Sequence, residues 1–308
     1  MIRAVGRAFV GEGDLTERQG EVLVAGAGVA FSVTAIAFRG VESASDFQFL
    51  TYRGLSTVLV MVLLILVRRS GRPVSFAEVT WRTWVAALVL ATTSMLYILA
   101  LSRTSAATTL FMLAAAPVFA AIIGWVLLRE RVERSTIIAI AITAVGVTIM
   151  VGAGLDAGSA MGLFFAALIP VLVGLYSVIQ RSVSRVDPVI PTLIAAVFLT
   201  LGSGVIALFD TGLGISGRDL TMAGISGGFA LGVGLPLFNL GHRSVAAARI
   251  PLLLMTEVVL APVWVWIWPG ETPGVTTLIG GAVIMSAVAW LMLRARTSEL
   301  PRPVIAAT

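Results

Sequence analysis

Cysteine and lysine are absent from this 308-residue chain, and histidine occurs once, at His242. Without cysteine there can be no disulfide, no thiolate metal site and no catalytic thiol. The single histidine, and the absence of HExxH and phosphate-loop motifs, leave no nucleophile–base pair and no metal-ligand cluster to assemble. The sequence therefore predicts no catalytic residue, no metal and no cofactor.

Charged side chains are also scarce. They make up 12% of the chain, against 58% apolar residues, and the mean hydropathy is +1.01. Soluble domains average about 25% charged residues. All 21 basic residues are arginines, and no single basic face is evident. The composition therefore indicates a protein embedded in a lipid bilayer, and no nucleic-acid partner is expected.

Long apolar runs alternate with short polar breaks along most of the sequence. A bilayer core of about 30 Å requires about 20 apolar residues per helix. The runs predict an all-α polytopic membrane protein with ten transmembrane spans, numbered here in chain order: 22–38, 47–67, 82–101, 105–128, 135–153, 160–180, 189–209, 220–240, 246–268 and 275–294. Residues 1–21 and 295–308 are predicted to form cytoplasmic tails.

Arginine placement predicts the orientation of these spans, because cytoplasmic loops retain basic residues. With both termini in the cytoplasm, seventeen arginines fall on the cytoplasmic side, and only Arg39, Arg103 and Arg218 fall outside. Arg53 lies within span 2. The sequence therefore predicts a multi-pass protein of the bacterial inner membrane with cytoplasmic termini.

A faint internal repeat divides the chain into two halves. Residues 106–130 (AATTLFMLAAAPVFAAIIGWVLLRE) return 141 residues later as residues 247–271 (AARIPLLLMTEVVLAPVWVWIWPGE), with a tryptophan and the terminal glutamate aligned. The halves, 22–153 and 160–294, hold five predicted spans each, so the second half enters the membrane upside down relative to the first. Inverted repeats around a central cavity are typical of transporters that expose one site to each side in turn.

The signature of span 4 consists of Ala106, Ala107, Pro117 and Glu130. With this signature and its five-plus-five arrangement, the chain resembles the drug/metabolite transporter (DMT) superfamily, EamA type, and within it the YddG-like (aromatic) amino-acid exporters. The resemblance covers residues 20–295 and implies a cavity lined by spans 1, 3, 4, 6, 8 and 9. It also implies that spans 5 and 10 are more peripheral. The family often carries Glu-Pro in span 9, whereas here Val258 follows Glu257.

Two charged residues lie within predicted spans, where an ionised side chain costs about 2.5–3.5 kcal/mol. Glu257 either attracts a substrate ammonium group or exchanges a proton in the cavity, or it is a hydrogen-bonded structural group. Arg53 either extends outward toward Asp46 or contacts a substrate carboxylate. His242, at the inner end of span 8, is either a solvated loop residue or part of a proton relay or gate.

Polar and aromatic side chains within the spans supply further candidates for substrate contact. The candidates are Thr92 and Tyr97 in span 3, Thr108 in span 4, Tyr176 in span 6 and Trp266 in span 9. Thr34, Thr93 and Ser94 also add polarity to spans 1 and 3. Alternatively, hydroxyl groups bond back to their own helix, and tryptophans form an interfacial belt.

Proline and glycine mark candidate helix breaks or gates. They are Pro117 in span 4, Gly228, Gly232 and Pro236 in span 8, and Pro251 and Pro262 in span 9. Each proline removes a backbone donor, so a freed carbonyl must bond elsewhere or line a wet cavity. The four-residue glycine spacing in span 8 either allows close helix packing or creates a flexible gate.

These features favour an exporter of amino acids, aromatic or other large neutral ones in particular, or of related small metabolites, that works by alternating access. A transporter of drugs or other metabolites is the nearest alternative. A membrane-embedded enzyme is disfavoured by the missing motifs, and a channel or a structural protein by the inverted repeat. Small-molecule substrate and lipid are the expected partners, and monomer and homodimer both stay open.

The predicted orientation can be tested directly, because the chain has no native cysteine to remove. A membrane-impermeant maleimide applied to intact cells should label Leu213→Cys, in the break between spans 7 and 8. It should label Ser70→Cys, between spans 2 and 3, only after the cells are opened. The reverse pattern would contradict the orientation derived from the arginines.

Overall fold

The computed structural model describes residues 15–68, 79–129, 134–151, 157–182, 186–187, 189–242, 244–245, 250–268 and 270–298. Within these residues the chain is helical and contains no β-strand. The helices follow the ten predicted spans in order. The protein therefore has the all-α fold of a polytopic membrane protein.

Eight spans are single helices and two are interrupted. Spans 1, 2, 3, 5, 6, 7, 9 and 10 are Glu17–Arg39, Asp46–Arg68, Trp81–Arg103, Arg134–Val151, Ala157–Ser182, Val189–Asp210, Ile250–Ile267 and Val275–Ser298. Span 4 comprises helices Ala106–Leu113 and Ala116–Leu128. Span 8 comprises an α-helix, Gly217–Gly224, a π-helix, Ile225–Leu231, and a second α-helix, Gly232–His242.

Length and composition allow these helices to cross a bilayer. Among the described residues, seven spans are long and apolar enough to do so, and spans 5, 9 and 10 supply apolar helical segments of 10–17 residues. Large apolar side chains such as Leu59, Val67 and Phe209 are more than half exposed on the outside of the bundle. In a bilayer these side chains contact lipid.

Span 1 begins at Glu17, five residues before the predicted start and inside the segment predicted as a tail. Its first turn is closed by a capping box. The amide of Gln19 donates to the Thr16 hydroxyl, and the Gln19 side chain accepts from the Thr16 amide. Because this local pairing satisfies donors at the helix start, the helix extends beyond the apolar run that predicted it.

Span 4 is interrupted at Ala114 and Ala115, just before Pro117. Proline has no amide hydrogen, and its ring clashes with the carbonyl four residues earlier. That carbonyl belongs to Leu113, the last residue of the first helix of span 4. In the internal repeat Pro117 aligns with Val258, and span 9 runs through that position without interruption. Spans 4 and 9 therefore differ in shape at the position where one has proline and the other valine.

The other candidate breaks show a different pattern. Span 9 continues as an α-helix through Pro262, and the last helix of span 8 continues through Pro236. The structure therefore has no helix break at either proline. Within a membrane bundle a helix can continue through a proline, because groups of neighbouring helices can satisfy the backbone carbonyl that loses its hydrogen bond. Pro251 is the second residue of span 9, and its side chain lies outside the described part of the chain.

The irregular part of span 8 is instead its π-helix, which the sequence did not predict. Gly224, Gly228 and Gly232 face Ser56 and Val60 of span 2. A Cβ atom at Gly232 would lie 2.8 Å from Val60, so the glycine is needed for that approach. This stripe of glycines therefore packs span 8 closely on span 2.

Helix packing follows a two-fold pattern that relates each span of the first half to the span five places later. Spans 2 and 7, spans 4 and 9, and spans 5 and 10 pack directly on their own counterparts. The contact of span 1 with span 9 is matched by that of span 6 with span 4, and the contact of span 3 with span 6 by that of span 8 with span 1. The two halves therefore interlock rather than stand side by side.

One end of the bundle carries Arg39, Arg103 and Arg218, and we term it the arginine-poor end. Each of these arginines forms an ion pair: Arg39 with Glu271 at 2.7 Å, Arg103 with Asp46 at 2.9 Å, and Arg218 with Glu42. The pairs join loops and span ends from both halves. The few charges at this end are therefore used to hold neighbouring spans together.

Asp219, in the first turn of span 8, forms the most extensive polar contact at the arginine-poor end. Its carboxylate is fully buried and accepts hydrogen bonds from the amides of Glu42, Ser43 and Ala44 at 2.9–3.0 Å. The Ser43 hydroxyl donates a fourth at 2.7 Å. Asp219 therefore fastens the loop between spans 1 and 2 to span 8, with bonds that are strong because the acceptor is charged.

We expect Asp219→Asn to destabilise the protein by about 2 kcal/mol or more, because hydrogen bonds to charged groups contribute about 1.5–3 kcal/mol each. The asparagine amide would also face backbone donors that need an acceptor. The midpoint of thermal unfolding in detergent measures the loss. Asp210→Asn, at an exposed position, is the matched control. Equal midpoints for the two variants would contradict this role.

Candidate functional site

A cavity of about 220 Å³ lies in the middle of the bundle. Its lining comes from spans 1 to 4 and spans 6 to 9. Compared with the lining that the family resemblance implies, spans 2 and 7 are additional, and they contribute Arg53 and Thr192 among others. The reason is the interlocking of the two halves, which packs spans 2 and 7 against each other beside the cavity.

Arg53 is the cation of this cavity. Its side chain is 3% exposed, and two of its nitrogens, Nε and Nη1, have no hydrogen-bond partner among the described residues. It does not extend to Asp46, which pairs with Arg103 and the Ser102 hydroxyl instead. The guanidinium carbon lies 6.0 Å from the centre of the Tyr97 ring. Arg53 is therefore held within the bundle with donors available to a ligand.

Glu257, in the middle of span 9, lines the same cavity. Within the part of the chain that the structure describes, its carboxylate makes no hydrogen bond and no salt bridge. The charges of Glu257 and Arg53 are close enough to interact electrostatically. The cavity therefore holds one basic and one acidic side chain, each available to a ligand group of opposite charge.

Residues that carry hydroxyl groups also line the cavity. The lining includes the hydroxyls of Thr34, Thr57, Thr93, Ser94, Tyr97 and Thr192. Two of them, Ser94 Oγ and Tyr97 OH, are buried without a hydrogen-bond partner among the described residues. Buried polar groups are nearly always paired, so unpaired ones at a cavity indicate positions that water or a ligand satisfies. Thr93, in contrast, donates to the carbonyl of Val89 in its own helix.

The rest of the cavity wall is apolar. Phe31, Leu90, Leu113, Ile169, Leu199 and Leu235 line it from six different spans. Leu113 ends the first helix of span 4, and Leu231, which ends the π-helix of span 8, also lines the cavity. Both helix irregularities therefore border the cavity, which is where a membrane protein tolerates unpaired backbone groups.

Of the residues that the sequence singled out, Arg53, Glu257 and Tyr97 meet in the cavity. Thr92, Thr108, Tyr176 and Trp266 do not line it. Thr92 donates to the carbonyl of Leu88 in its own helix, and Thr108 belongs to the cap of span 4, bonded to Ser105. Trp266 is 58% exposed on the outer surface, as expected of an interfacial tryptophan.

His242 ends span 8, and its side chain lies outside the described part of the chain. Two polar lining residues, Thr57 and Thr192, were not predicted from the sequence. For Thr57 a signal existed: it follows Arg53 by four residues, so both lie on the same face of span 2. For Thr192, near the start of span 7, nothing in the local sequence distinguishes it from a hydroxyl that faces lipid.

A polar junction around Arg39 and Glu271 lies at the arginine-poor end. Arg39, at the end of span 1, donates to Glu271 and, at 2.8 Å, to the carbonyl of Thr104. Glu271 accepts in turn from the amide of Ala106 at 2.7 Å. Four elements meet here: span 1, the ends of spans 3 and 4, and the loop between spans 9 and 10. The junction thereby joins elements of both halves at the arginine-poor end.

Comparison with known proteins places the chain among membrane transporters. Residues 18–152, and again residues 160–293, match the profile of the EamA-like transporter family. An uncharacterized transporter of Archaeoglobus fulgidus is 29% identical over 196 residues, which cover 63% of this chain and 70% of that protein. A solved crystal structure with a TM-score of 0.67 covers 91% of this chain and 98% of its own, at 19% identity. At that identity the similarity shows a shared fold.

Proposed function

Because the chain belongs to the EamA-like transporter family, we propose that it exports amino acids, aromatic or other large neutral ones in particular, or related small zwitterionic metabolites. In this proposal the protein lies in the bacterial inner membrane with both termini in the cytoplasm. The central cavity opens to one side of the membrane and then to the other, without covalent chemistry.

The observation that carries the proposal is the pair formed by Arg53 and Glu257. An amino acid brings a carboxylate, which can accept two parallel hydrogen bonds from a guanidinium, and an ammonium group, which can donate to a carboxylate. A zwitterion therefore matches both free groups of the cavity at once. It leaves no charge unpaired in a low-dielectric site, where an unpaired charge is costly.

The size and wall of the cavity support a small substrate with an apolar side chain. Pockets for drug-sized ligands are about 300–1,000 Å³, whereas this cavity is about 220 Å³. Aliphatic side chains and Phe31 form most of its wall. These features favour a large neutral amino acid over a drug-sized molecule.

The nearest alternative is a transporter of drugs or of another metabolite within the same family. A phosphorylated metabolite would require several cations, because a phosphate ester carries close to two negative charges. Among the described residues Arg53 is the cation that lines the cavity, and Glu257 opposes a second negative charge there. This balance favours a zwitterion over an anion.

Two features of the structure support alternating access. At the arginine-poor end, the contact of Arg39 with Glu271 ties span 1 to the loop between spans 9 and 10. Toward the opposite end the cavity lining reaches Thr192, only four residues into span 7. In this proposal the structure represents the state that faces the cytoplasm, and the junction separates when the transporter turns outward.

The substrate proposal can be tested with purified protein in liposomes and a panel of labelled amino acids. Arg53→Gln and Glu257→Gln should each lower the apparent affinity for the best substrate about 10- to 100-fold, since a hydrogen bond to a charged group contributes about 1.5–3 kcal/mol. Inhibition by phenylpropionate, which lacks the ammonium group, should weaken in Arg53→Gln alone. Inhibition by phenethylamine, which lacks the carboxylate, should weaken in Glu257→Gln alone.

Arg82→Gln and Asp210→Asn remove charges from exposed positions at opposite ends of the bundle and serve as matched controls. Neither should change the affinity. Absence of flux above empty vesicles for every amino acid would remove the proposed substrate class. Unchanged inhibition patterns in both cavity variants would remove the assigned contacts even if amino acids are transported.

Alternating access predicts that Glu271→Gln favours the outward-facing state, because it weakens the junction with Arg39. The reporter is Thr34→Cys in the cavity wall, a single cysteine in a chain that otherwise has none. A membrane-impermeant maleimide supplied from the arginine-poor side should label it faster in the Glu271→Gln background. Glu42→Gln, which breaks the exposed pair with Arg218, should leave the rate unchanged. Equal rates in both backgrounds would show that the junction does not control access.

A further inference from the structure

Spans 2 and 8 approach each other backbone to backbone at Arg53 and Gly227. Gly227, the third residue of the π-helix, is buried with its α-carbon against the carbonyl group of Arg53. A Cβ atom at Gly227 would overlap the Arg53 carbonyl oxygen. Only glycine therefore permits this contact, and it occurs at the residue whose guanidinium enters the cavity.

The hydroxyl group of Thr57 forms hydrogen bonds at the same contact. Its Oγ1 lies 3.0 Å from the Arg53 carbonyl oxygen and 3.0 Å from the Gly227 carbonyl oxygen. The single hydroxyl hydrogen can therefore bond to the carbonyl of span 2, to the carbonyl of span 8, or to both at once. Thr57 is 2% exposed and lies one turn beyond Arg53. It links the backbone of Arg53 to the backbone of span 8.

The π-helix provides the surface for this contact. The Gly227 carbonyl accepts both from Thr57 in span 2 and from the amide of Gly232, five residues later in its own span. The wider turn of a π-helix is rare and is frequently found at functional sites. Leu231, at the end of the same segment, lines the cavity. A displacement of this segment therefore moves the cavity wall and the backbone of Arg53 together.

We propose that Gly227 and Thr57 are positioning residues for Arg53. They hold the backbone of Arg53 on the π-helix of span 8, so that the guanidinium faces Glu257 across the cavity and moves with span 8 during transport. This inference rests on the proposed function, since it assigns Arg53 the substrate carboxylate.

Ordinary helix packing is the alternative, and the glycine stripe of span 8 provides the control for it. A Cβ atom at Gly224 would meet its nearest neighbour, Ser56 Oγ, at 3.9 Å, an ordinary contact. Thr51 provides the control for Thr57. It lies two residues before Arg53 and is buried, and its hydroxyl bridges to Ser203 of span 7 instead of span 8.

The test measures Km for the best-transported amino acid in Thr57→Val and Gly227→Ala, each alone and combined with Arg53→Gln. Alone, each should raise Km about tenfold and weaken inhibition by phenylpropionate, with inhibition by phenethylamine unchanged. In the Arg53→Gln background neither should have a further effect, because the group they position is gone. Thr51→Val and Gly224→Ala should leave Km and both inhibition patterns as in the unmodified protein.

Unchanged Km in Thr57→Val overturns the inference, as does an effect of equal size with and without Arg53. Thr57→Val keeps the shape of the side chain, so it decides the matter if Gly227→Ala does not fold. An Arg53→Gln variant with normal transport and inhibition would refute the proposed carboxylate contact and this inference together. If Arg53→Gln impairs transport and the effects of Thr57→Val and Gly227→Ala on Km add to it in full, the positioning role is refuted. The proposed contact of Arg53 with the substrate carboxylate then still stands.

Discussion

The structure depends on how a chain in a low-dielectric medium accommodates its few charges. An ionised group away from water needs an opposite charge or a full set of hydrogen bonds. At the arginine-poor end this need is met within the protein: Arg39, Arg103 and Arg218 each have an acidic partner. In the cavity this need is not met within the protein, because Arg53 and Glu257 interact only at a distance. Charges paired at the arginine-poor end hold neighbouring spans together, and the charged side chains left unpaired in the middle are available to a ligand.

Duplication supplies the scaffold, and the site arises where the copies diverge. The aligned segments 106–130 and 247–271 place Ala116 opposite Glu257 and Pro117 opposite Val258. The proline interrupts span 4, whereas the valine leaves span 9 continuous and able to carry a carboxylate into the cavity. A perfectly symmetric bundle would present the same groups from both halves. The divergence instead yields a cavity with unlike charges, as a zwitterion requires.

Span 8 connects the scaffold to the site. Asp219 anchors its first turn to the loop after span 1, the π-helix meets the backbone of Arg53, and Leu231 and Leu235 form part of the cavity wall. An element that is firmly held at one end and irregular in the middle can move locally without losing its attachment. Such an arrangement suits a transporter that must change the accessibility of a central site.

Sequence alone determined the features that depend on neighbours along the chain. Apolar run length placed the ten spans, and the order of the spans indicated the inverted repeat. The steric properties of Pro117 indicated an interruption of span 4, and the isolated charges Arg53 and Glu257 could be singled out because charge within an apolar run is costly. Each of these signals is local, so no packing information was needed to detect it.

Only the tertiary structure decided which side of each helix faces the cavity. Successive residues of a helix point about 100° apart, so Thr92 and Thr93 are equivalent candidates in sequence, yet only Thr93 lines the cavity. The same rotation directs Arg53 inward rather than toward Asp46 and brings Thr57 beside Gly227. Rotation about the helix axis is set by packing against neighbouring spans that are distant in sequence. That long-range packing is the physical reason why the spans could be predicted from the sequence and the assembled site could not.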